Sequence, residues 1–409
     1  MRRLLAATGI LATSAFLLLA STIIAAAAPP DELVAAAQKE GRLAVIALPR
    51  DWCNYGRIID GFKARYGLAV DELQPEASSE TELETIRASR GNGDPIVPDV
   101  IDVGLSFAEA AKQEGLLQPY KVSTWDSIPD AAKDANGYWY GDYYGLLAFE
   151  VNADRVARLP VDWPDLASPE FRNAIGIAGA PGSNQTIQTV LAAGLSATNG
   201  RIEEAAQRGL EFFAELNRRG NLLPMIGNAE TLADGRTPVL IRWDHLALGD
   251  RDALAGKTRI AVVRPRTGIV AGIYAQAISA YARRPNAARL WMEYLYSDEV
   301  QLILLSGRCH PIRLGALLRD RKVPANLLQD LPSPESDGKG GRAEPVFPTV
   351  EEQRRARDII LKGWDGIVGV TIECRPPEEP DPGPISGQRA PIQAADASRQ
   401  CLPPSQTVQ

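Results

Sequence analysis

Only two histidines, His245 and His310, occur in 409 residues, with three methionines and four cysteines. So few imidazoles leave little choice of base for a serine or cysteine nucleophile. The fingerprints G-x-S-x-G, H-E-x-x-H and G-x-x-x-x-G-K-[ST] are all absent. The common hydrolase, zinc-peptidase and P-loop chemistries are thereby removed. No C-x-x-C spacing exists either, so no metal site is expected. The chain has no excess of positive charge; its formal net charge is -7. An acidic surface argues against nucleic acid and against an anionic membrane bound by charge. Carboxylates are plentiful, so paired-acid glycoside hydrolysis survives as the alternative class, a secreted hydrolase. No catalytic residue and no cofactor is expected.

A long apolar run is missing everywhere except at the start. There Arg2 and Arg3 precede an uncharged stretch that ends in Ala25-Ala26-Ala27-Ala28 before Pro29. This is the layout of a secretory signal peptide over 1–27, cut after Ala27 or Ala28. The expected compartment is the periplasm, and the mature chain, without Arg2 and Arg3, carries a formal charge of -9. Its length suits two or three compact units. All four cysteines, Cys53, Cys309, Cys374 and Cys401, lie in the exported part. Two disulfides are allowed there, in any of three pairings.

What is present is alternation. Short β-rich runs at 43–48, 68–73, 100–103, 146–151, 175–178, 239–241 and 260–263 are separated by helical patterns such as 55–66, 81–88, 202–218 and 287–305. That reads as α/β with largely parallel sheets. Ser79-Glu80-Thr81-Glu82 and Ser106-Phe107-Ala108-Glu109 have the form of capping boxes just past two strands. Helix N-termini in that position face the crevice of an open α/β sheet. Beyond residue 331 the composition shifts, with 12 of the 30 prolines in the last 79 residues. One helix is expected at 350–364, and from 376 to 409 the pattern predicts a disordered tail.

Aromatic and polar residues concentrate at the predicted strand ends: Asp51-Trp52-Cys53-Asn54-Tyr55, then 138–145, Arg242-Trp243-Asp244 and Gly272-Ile273-Tyr274. Such groups make a pocket for a small polar or cationic solute. Tyr143 and Tyr144 are a pair, but neighbours on a strand face opposite sides and would not reach one ferric ion.

Several segments, in this order, resemble type II binding proteins of ABC importers, relatives of the iron(III), polyamine, thiamine and phosphosugar binders. They are 33–41 (LVAAAQKEG), 62–67 (FKARYG), 98–104 (PDVIDVG), 145–152 (GLLAFEVN), 162–175 (DWPDLASPEFRNAI) and 286–301 (NAARLWMEYLYSDEVQ). The resemblance covers roughly residues 31 to 315. It implies a two-lobed periplasmic binding protein type II fold with hinge strands between the lobes. The first lobe would be 28–147 plus 265–307, and the second 148–264 plus 308–375. It also implies ligand contacts from Trp52, Asn54, Ser78, Ser79, Gly104, Ser106, Tyr143, Ser183, Asn184, Trp243, Asp244 and Tyr274. The partners implied are a small-molecule solute, leaning towards a polyamine-like cation, with a phosphorylated, phosphonate or ferric ligand as the alternative, and an ABC permease. A monomer is expected. Because the resemblance assigns the loop after the first strand and the end of the 287–305 helix to one lobe, it pairs Cys53 with Cys309, leaving Cys374 with Cys401.

Overall fold

Two glycines close the first helix–strand steps. Gly41 (φ 76°) ends α1 (Asp31–Glu40) and Gly67 (φ 70°) ends α2 (Tyr55–Tyr66), each in the left-handed region that only glycine enters freely. Strands β1 (Arg42–Ile46) and β2 (Ala69–Leu73) follow those helices and pair in parallel. The computed structural model describes residues 29–90, 97–328 and 345–372. The expected signal peptide, the tail from 376, Cys374 and Cys401 lie outside the described residues.

The remaining strands are β3 (Val100–Gly104), β4 (Leu117–Gln118), β5 (Tyr140–Asn152), β6 (Ile175–Ile177), β7 (Leu222–Ile226), β8 (Val239–Trp243), β9 (Ile260–Val263), β10 (Ala271–Ser279) and β11 (His310–Pro311). Their hydrogen-bonded order is β2-β1-β3-β10-β5-β8-β6-β7, with β4 on β10 and with β9 and β11 on β5. The outer strands pair in parallel, whereas β10 and β5 run antiparallel to their neighbours. The sheet is therefore mixed rather than largely parallel.

Strand β5 joins the two halves of the molecule. Up to Leu146, which faces Ala271, it pairs with β10; from Leu147, which faces Trp243, it pairs with β8, and β9 joins from Phe149. The aromatic stretch expected to lead into this strand is already strand from Tyr140. The protein is two-lobed, each lobe an α/β unit. Around the first sheet lie α1, α2, α3 (Ser79–Ala88), α4 (Leu105–Gln113), and two later helices described next. The second carries α5 (Asn184–Ala197), α6 (Ile202–Arg219), α7 (Ala229–Asp234) and α8 (Asp244–Ala253).

The single helix expected over 287–305 is two, α9 (Pro285–Leu295) and α10 (Asp298–Ser306). Ser297 Oγ accepts the Val300 amide at 3.3 Å, with Asp298 and Glu299 in the first turn, a fresh helix start inside an apolar run. Neither expected capping box forms. The α3 cap is Ser78, which takes the Thr81 amide, and α4 begins at Gly104 without a side-chain cap. Ser79 and Glu82 reach the neighbouring strand instead: Ser79 Oγ accepts from Gly104 N at 3.0 Å and Glu82 from Asp102 N at 2.9 Å.

After α10 the chain stays with the first sheet. His310 and Pro311 pair with Tyr144 and Tyr143, and Arg313 bonds Tyr296 and Asp298. The segment from 308 that was expected in the second lobe thus begins beside the first sheet, and α11 (Leu314–Arg319) and α12 (Ala325–Leu328) follow it. When the described chain resumes, Val346 pairs with the 269–271 segment through two backbone hydrogen bonds of 2.8 and 2.9 Å. Helix α13 (Val350–Gly363) then lies against α5 and α6 on one side and α4 on the other. Gln188 Nε2 donates to its buried Gln353 at 2.8 Å, and its Arg357 guanidinium stands 5.2 Å over the Phe107 ring. Among the described residues no helix is long and apolar enough to cross a membrane.

Candidate functional site

Where the crossing strands meet, two glycines make room for an indole. A Cβ on Gly272 would lie 2.7 Å from Trp243 Cζ3, and one on Gly145 3.0 Å from Trp243 Cε3 and 3.1 Å from the His245 ring. Trp243, the last residue of β8, is fully buried there. Around it the rings lock together. Tyr274 stacks on Tyr143 at 5.3 Å and meets Trp243 edge-on at 6.2 Å. Trp52 meets Tyr274 and His245 edge-on at 6.3 and 6.1 Å, and His245 meets Tyr143 at 6.1 Å. Such contacts fix ring orientation as well as burying area.

Helix starts point at the same crossing. Gly104 precedes the uncapped first turn of α4, and a Cβ there would lie 2.5 Å from Asn184 Oδ1, on the first turn of α5. Ser183 caps α5 through Thr186 N at 3.2 Å. Gln185 Oε1 accepts the Trp243 backbone amide at 3.2 Å, tying α5 to the start of α8.

The polar atoms here are mostly without partners. Asp102 Oδ1, Ser106 Oγ, Tyr143 Oη and both ring nitrogens of His245 are buried and bond nothing in the protein, and Asn184 Nδ2 and Trp243 Nε1, though turned to the Tyr274 hydroxyl, make no well-formed hydrogen bond. Folded proteins leave few such groups, and each costs about 1–3 kcal/mol. Burial holds His245 down to about 4, so its ring is neutral and offers one donor and one acceptor. Burial also pushes the Tyr274 phenol up to about 12, against the pull of the neighbouring Asn184 and Trp243 side chains.

Beside this constellation sits a buried acidic cluster. The Tyr55 hydroxyl is 2.5 Å from Asp142 Oδ2 and 3.2 Å from Asp102 Oδ2, and it accepts from Gln276 Nε2 at 3.3 Å. Burial, then the Asp102 charge, drives the Glu82 carboxyl well above its ordinary range; burial and Asp142 do the same to Asp102. Asp142 is pushed by burial up to about 7.

The expected site residues thus separate by what they touch. Trp52, Gly104, Tyr143, Asn184, Trp243 and Tyr274 meet at the crossing, and Ser106 follows Gly104 on α4. Asn54 Nδ2 is spent on Ile303 O and Ser306 Oγ, holding its loop to α10. Ser78 and Ser183 act as helix caps, and Ser79 supports Gly104. Asp244 is fully engaged: Oδ1 accepts Leu146 N at 3.1 Å, and Oδ2 lies 2.9 Å from Arg264 Nε and 3.4 Å from His310 Nε2. Tyr144 stacks on His310, on the other side of β5 from Tyr143. The residues that were missed are His245, Tyr55, Glu82 and Gln185. His245 had a signal in its place directly after Trp243-Asp244, and Tyr55 in closing the Asp51–Tyr55 aromatic cluster.

Cys53 and Cys309 form a disulfide across 256 residues, with a Cα separation of 5.3 Å. Their sulfurs and a His245 nitrogen lie within 4.8 Å of one another, but the sulfurs are spent in the bridge. The bridge thus fastens the Trp52 loop to the end of α10 and rests against His245 from α8.

Comparison with known proteins fits this architecture. Residues 96–332 match the family described as bacterial extracellular solute-binding protein. The fold is similar to that of the periplasmic binding protein AfuA from Actinobacillus pleuropneumoniae with exogenous fructose-6-phosphate bound. That pair shares 18% identity with a TM-score of 0.62, over 81% of this chain and 99% of the other. Iron-bound HitA from Pseudomonas aeruginosa is similar at 15% identity and a TM-score of 0.59, over 80% and 99%. So is AgtB from A. tumefaciens R10 in complex with agropinic acid, at 14% and 0.62, over 80% and 99%. An uncharacterised protein of Haemophilus influenzae is 36% identical over 91 residues, 20% of this chain; the match spans about a quarter of that relative, 26%. The chain belongs to the bacterial extracellular solute-binding protein family, and its fold is the two-lobed one of periplasmic binding proteins.

Proposed function

We propose that this protein is the solute-binding component of an ABC importer, exported to the periplasm, which closes its two lobes on a small polar solute and hands it to a membrane permease. The lobes would divide on β5 between Leu146 and Leu147, a reading supported by the change of pairing partner there. The observation that carries the proposal is the set of buried polar atoms without a well-formed hydrogen bond on both sides of the crossing: Asp102, Ser106 and Tyr143 from one lobe, Asn184, Trp243 and His245 from the other. A site that holds such atoms ready for a ligand explains their cost better than packing does.

Donors predominate among them, namely two hydroxyls, an amide NH2 and an indole N–H. With the uncapped start of α4 beside them, they favour an acidic group on the solute, a carboxylate or a phosphate. AfuA with fructose-6-phosphate and AgtB with agropinic acid are folds of this kind whose ligands carry such groups. A second reading, a polyamine-like cation, is favoured by the partnerless Asp102 oxygen in aromatic surroundings. A ferric ion held by Tyr143 and Tyr144 together is disfavoured by their opposite directions.

A thermal-shift screen of organic acids, sugar phosphates, polyamines and ferric chelates tests the proposal. A solute far above its Kd should add about 3–4 kcal/mol by mass action. Catalytic turnover of a substrate without stoichiometric binding would overturn it.

A further inference from the structure

The acidic cluster and the donor set share one face of one sheet. Gly104 pairs with Tyr274, and Tyr274 with Tyr143, so these three point the same way; Asp102 and Gln276 pair two residues further along. A two-residue step on a strand returns to the same face about 7 Å away. Asp102 therefore lies about 7 Å below the Gly104–Asn184 contact, on the side that faces the second lobe.

Charge balance at this depth is unusual. Glu82, Asp102 and Asp142 are at most 4% exposed, and among the described residues no lysine or arginine bonds any of them. The groups that face them are neutral: Tyr55 from α2, Tyr143 from β5, Tyr274 and Gln276 from β10, and Tyr296 after α9. Tyr143, wholly buried and edge-on to Tyr55 at 6.3 Å, adds a hydroxyl with no partner, and Asp102 Oδ1 has none either. Asp102 and Asp142 share the Tyr55 phenol proton, and Glu82 has only the Asp102 backbone amide. A buried carboxylate is stable either protonated or beside a cation.

Building on the proposed function, we infer that the solute is zwitterionic: its acidic group meets the donors at the starts of α4 and α5, and its ammonium group reaches Asp102. The ammonium displaces the proton held on Asp102, forming an N–H···O pair while that proton leaves to solvent. Uptake at a fixed pH therefore releases a proton. A hydroxyl in place of the ammonium would bond Asp102 without releasing one.

Matched pairs that differ only in the amine test this: phosphoethanolamine against ethyl phosphate, and L-glutamate against glutarate, with putrescine as the cation alone. Titration calorimetry in two buffers of different ionisation heat reads affinity and proton release together. At least one zwitterion should bind about tenfold or more tighter than its amine-free partner, with proton release that Asp102→Asn abolishes. Equal or tighter binding of the amine-free partner overturns the inference and leaves the acidic-solute reading standing. Binding of putrescine alone overturns both. Silence from both zwitterions, or binding without proton release, overturns the inference.

Discussion

Gly104 and Asn184 touch across the two lobes so closely that a methyl group on Gly104 would sit 2.5 Å from Asn184 Oδ1. Gly104 has an ordinary φ of -57°, so its backbone would accept another residue and only the space is restricted. Gly104→Leu should hold the lobes apart. Small-angle scattering should show a larger radius of gyration with solute present, and affinity should fall about tenfold or more. Thermal stability without solute should change by less than about 1 kcal/mol, because each lobe keeps its own core.

Reducing the Cys53–Cys309 bridge frees a loop of 256 residues. Loss of a native bridge of this kind costs about 2–5 kcal/mol. Urea unfolding of Cys53→Ser/Cys309→Ser should show a correspondingly lower midpoint at unchanged slope. Solute affinity should fall as well, since Trp52 shares the loop.

Asp244 binds three separate segments: Leu146 on β5, Arg264 after β9, and His310 on β11. Asp244→Ala strands the Arg264 guanidinium in a largely buried place, and about 3–5 kcal/mol should be lost. Burial opposes the charge on Asp244, but the His310 hydrogen bond and the His310 and Arg264 charges outweigh it and hold its pKa well below the ordinary value. This stabilisation is complete above the unfolded pKa of about 3.9 and is lost as pH falls through the folded one. Acid unfolding of the wild type should be steep there, and of the variant shallower.

Glu150 predicts the opposite slope. Burial raises it to about 8, against the pull of Arg242 3.6 Å away and with help from the neighbouring Asp250 carboxylate. The fold holds this proton more tightly than the unfolded chain does, so stability contributed here falls as pH rises from about 4.3 to about 8. Glu150→Gln should flatten that fall and add about 1–3 kcal/mol at pH 8, by denaturant titration at several pH values.

Local pattern located the elements that obey local rules. The 55–66 helix carries its apolar stripe and its terminal glycine in sequence, and α2 spans those residues. Strand β10 was not legible, because Ala271, Gly272, Ala275 and Ala277 give it little β signature; its place between β3 and β5 comes from pairing across the molecule. The Ser79 and Ser106 motifs misled for a related reason. Ser79 and Glu82 serve the adjacent strand, a use that no spacing rule detects. At the site, aromatic density pointed to Trp52, Tyr143, Trp243 and Tyr274. The acidic cluster stayed invisible as a unit because Tyr55 meets its partners at separations of 47, 87 and 221 residues.

The long span of the disulfide orders events during biosynthesis. A chain made from its N-terminus presents Cys53 first, and another 256 residues must follow before Cys309 can reach it. Until then the early thiol stays open to wrong partners, and the loop bearing Trp52 has no anchor. Sealing of the bridge therefore has to wait until the whole intervening segment, β5 to β10 included, has been made. The protein gains its fastened aromatic loop only after every strand from β1 to β10 has been made.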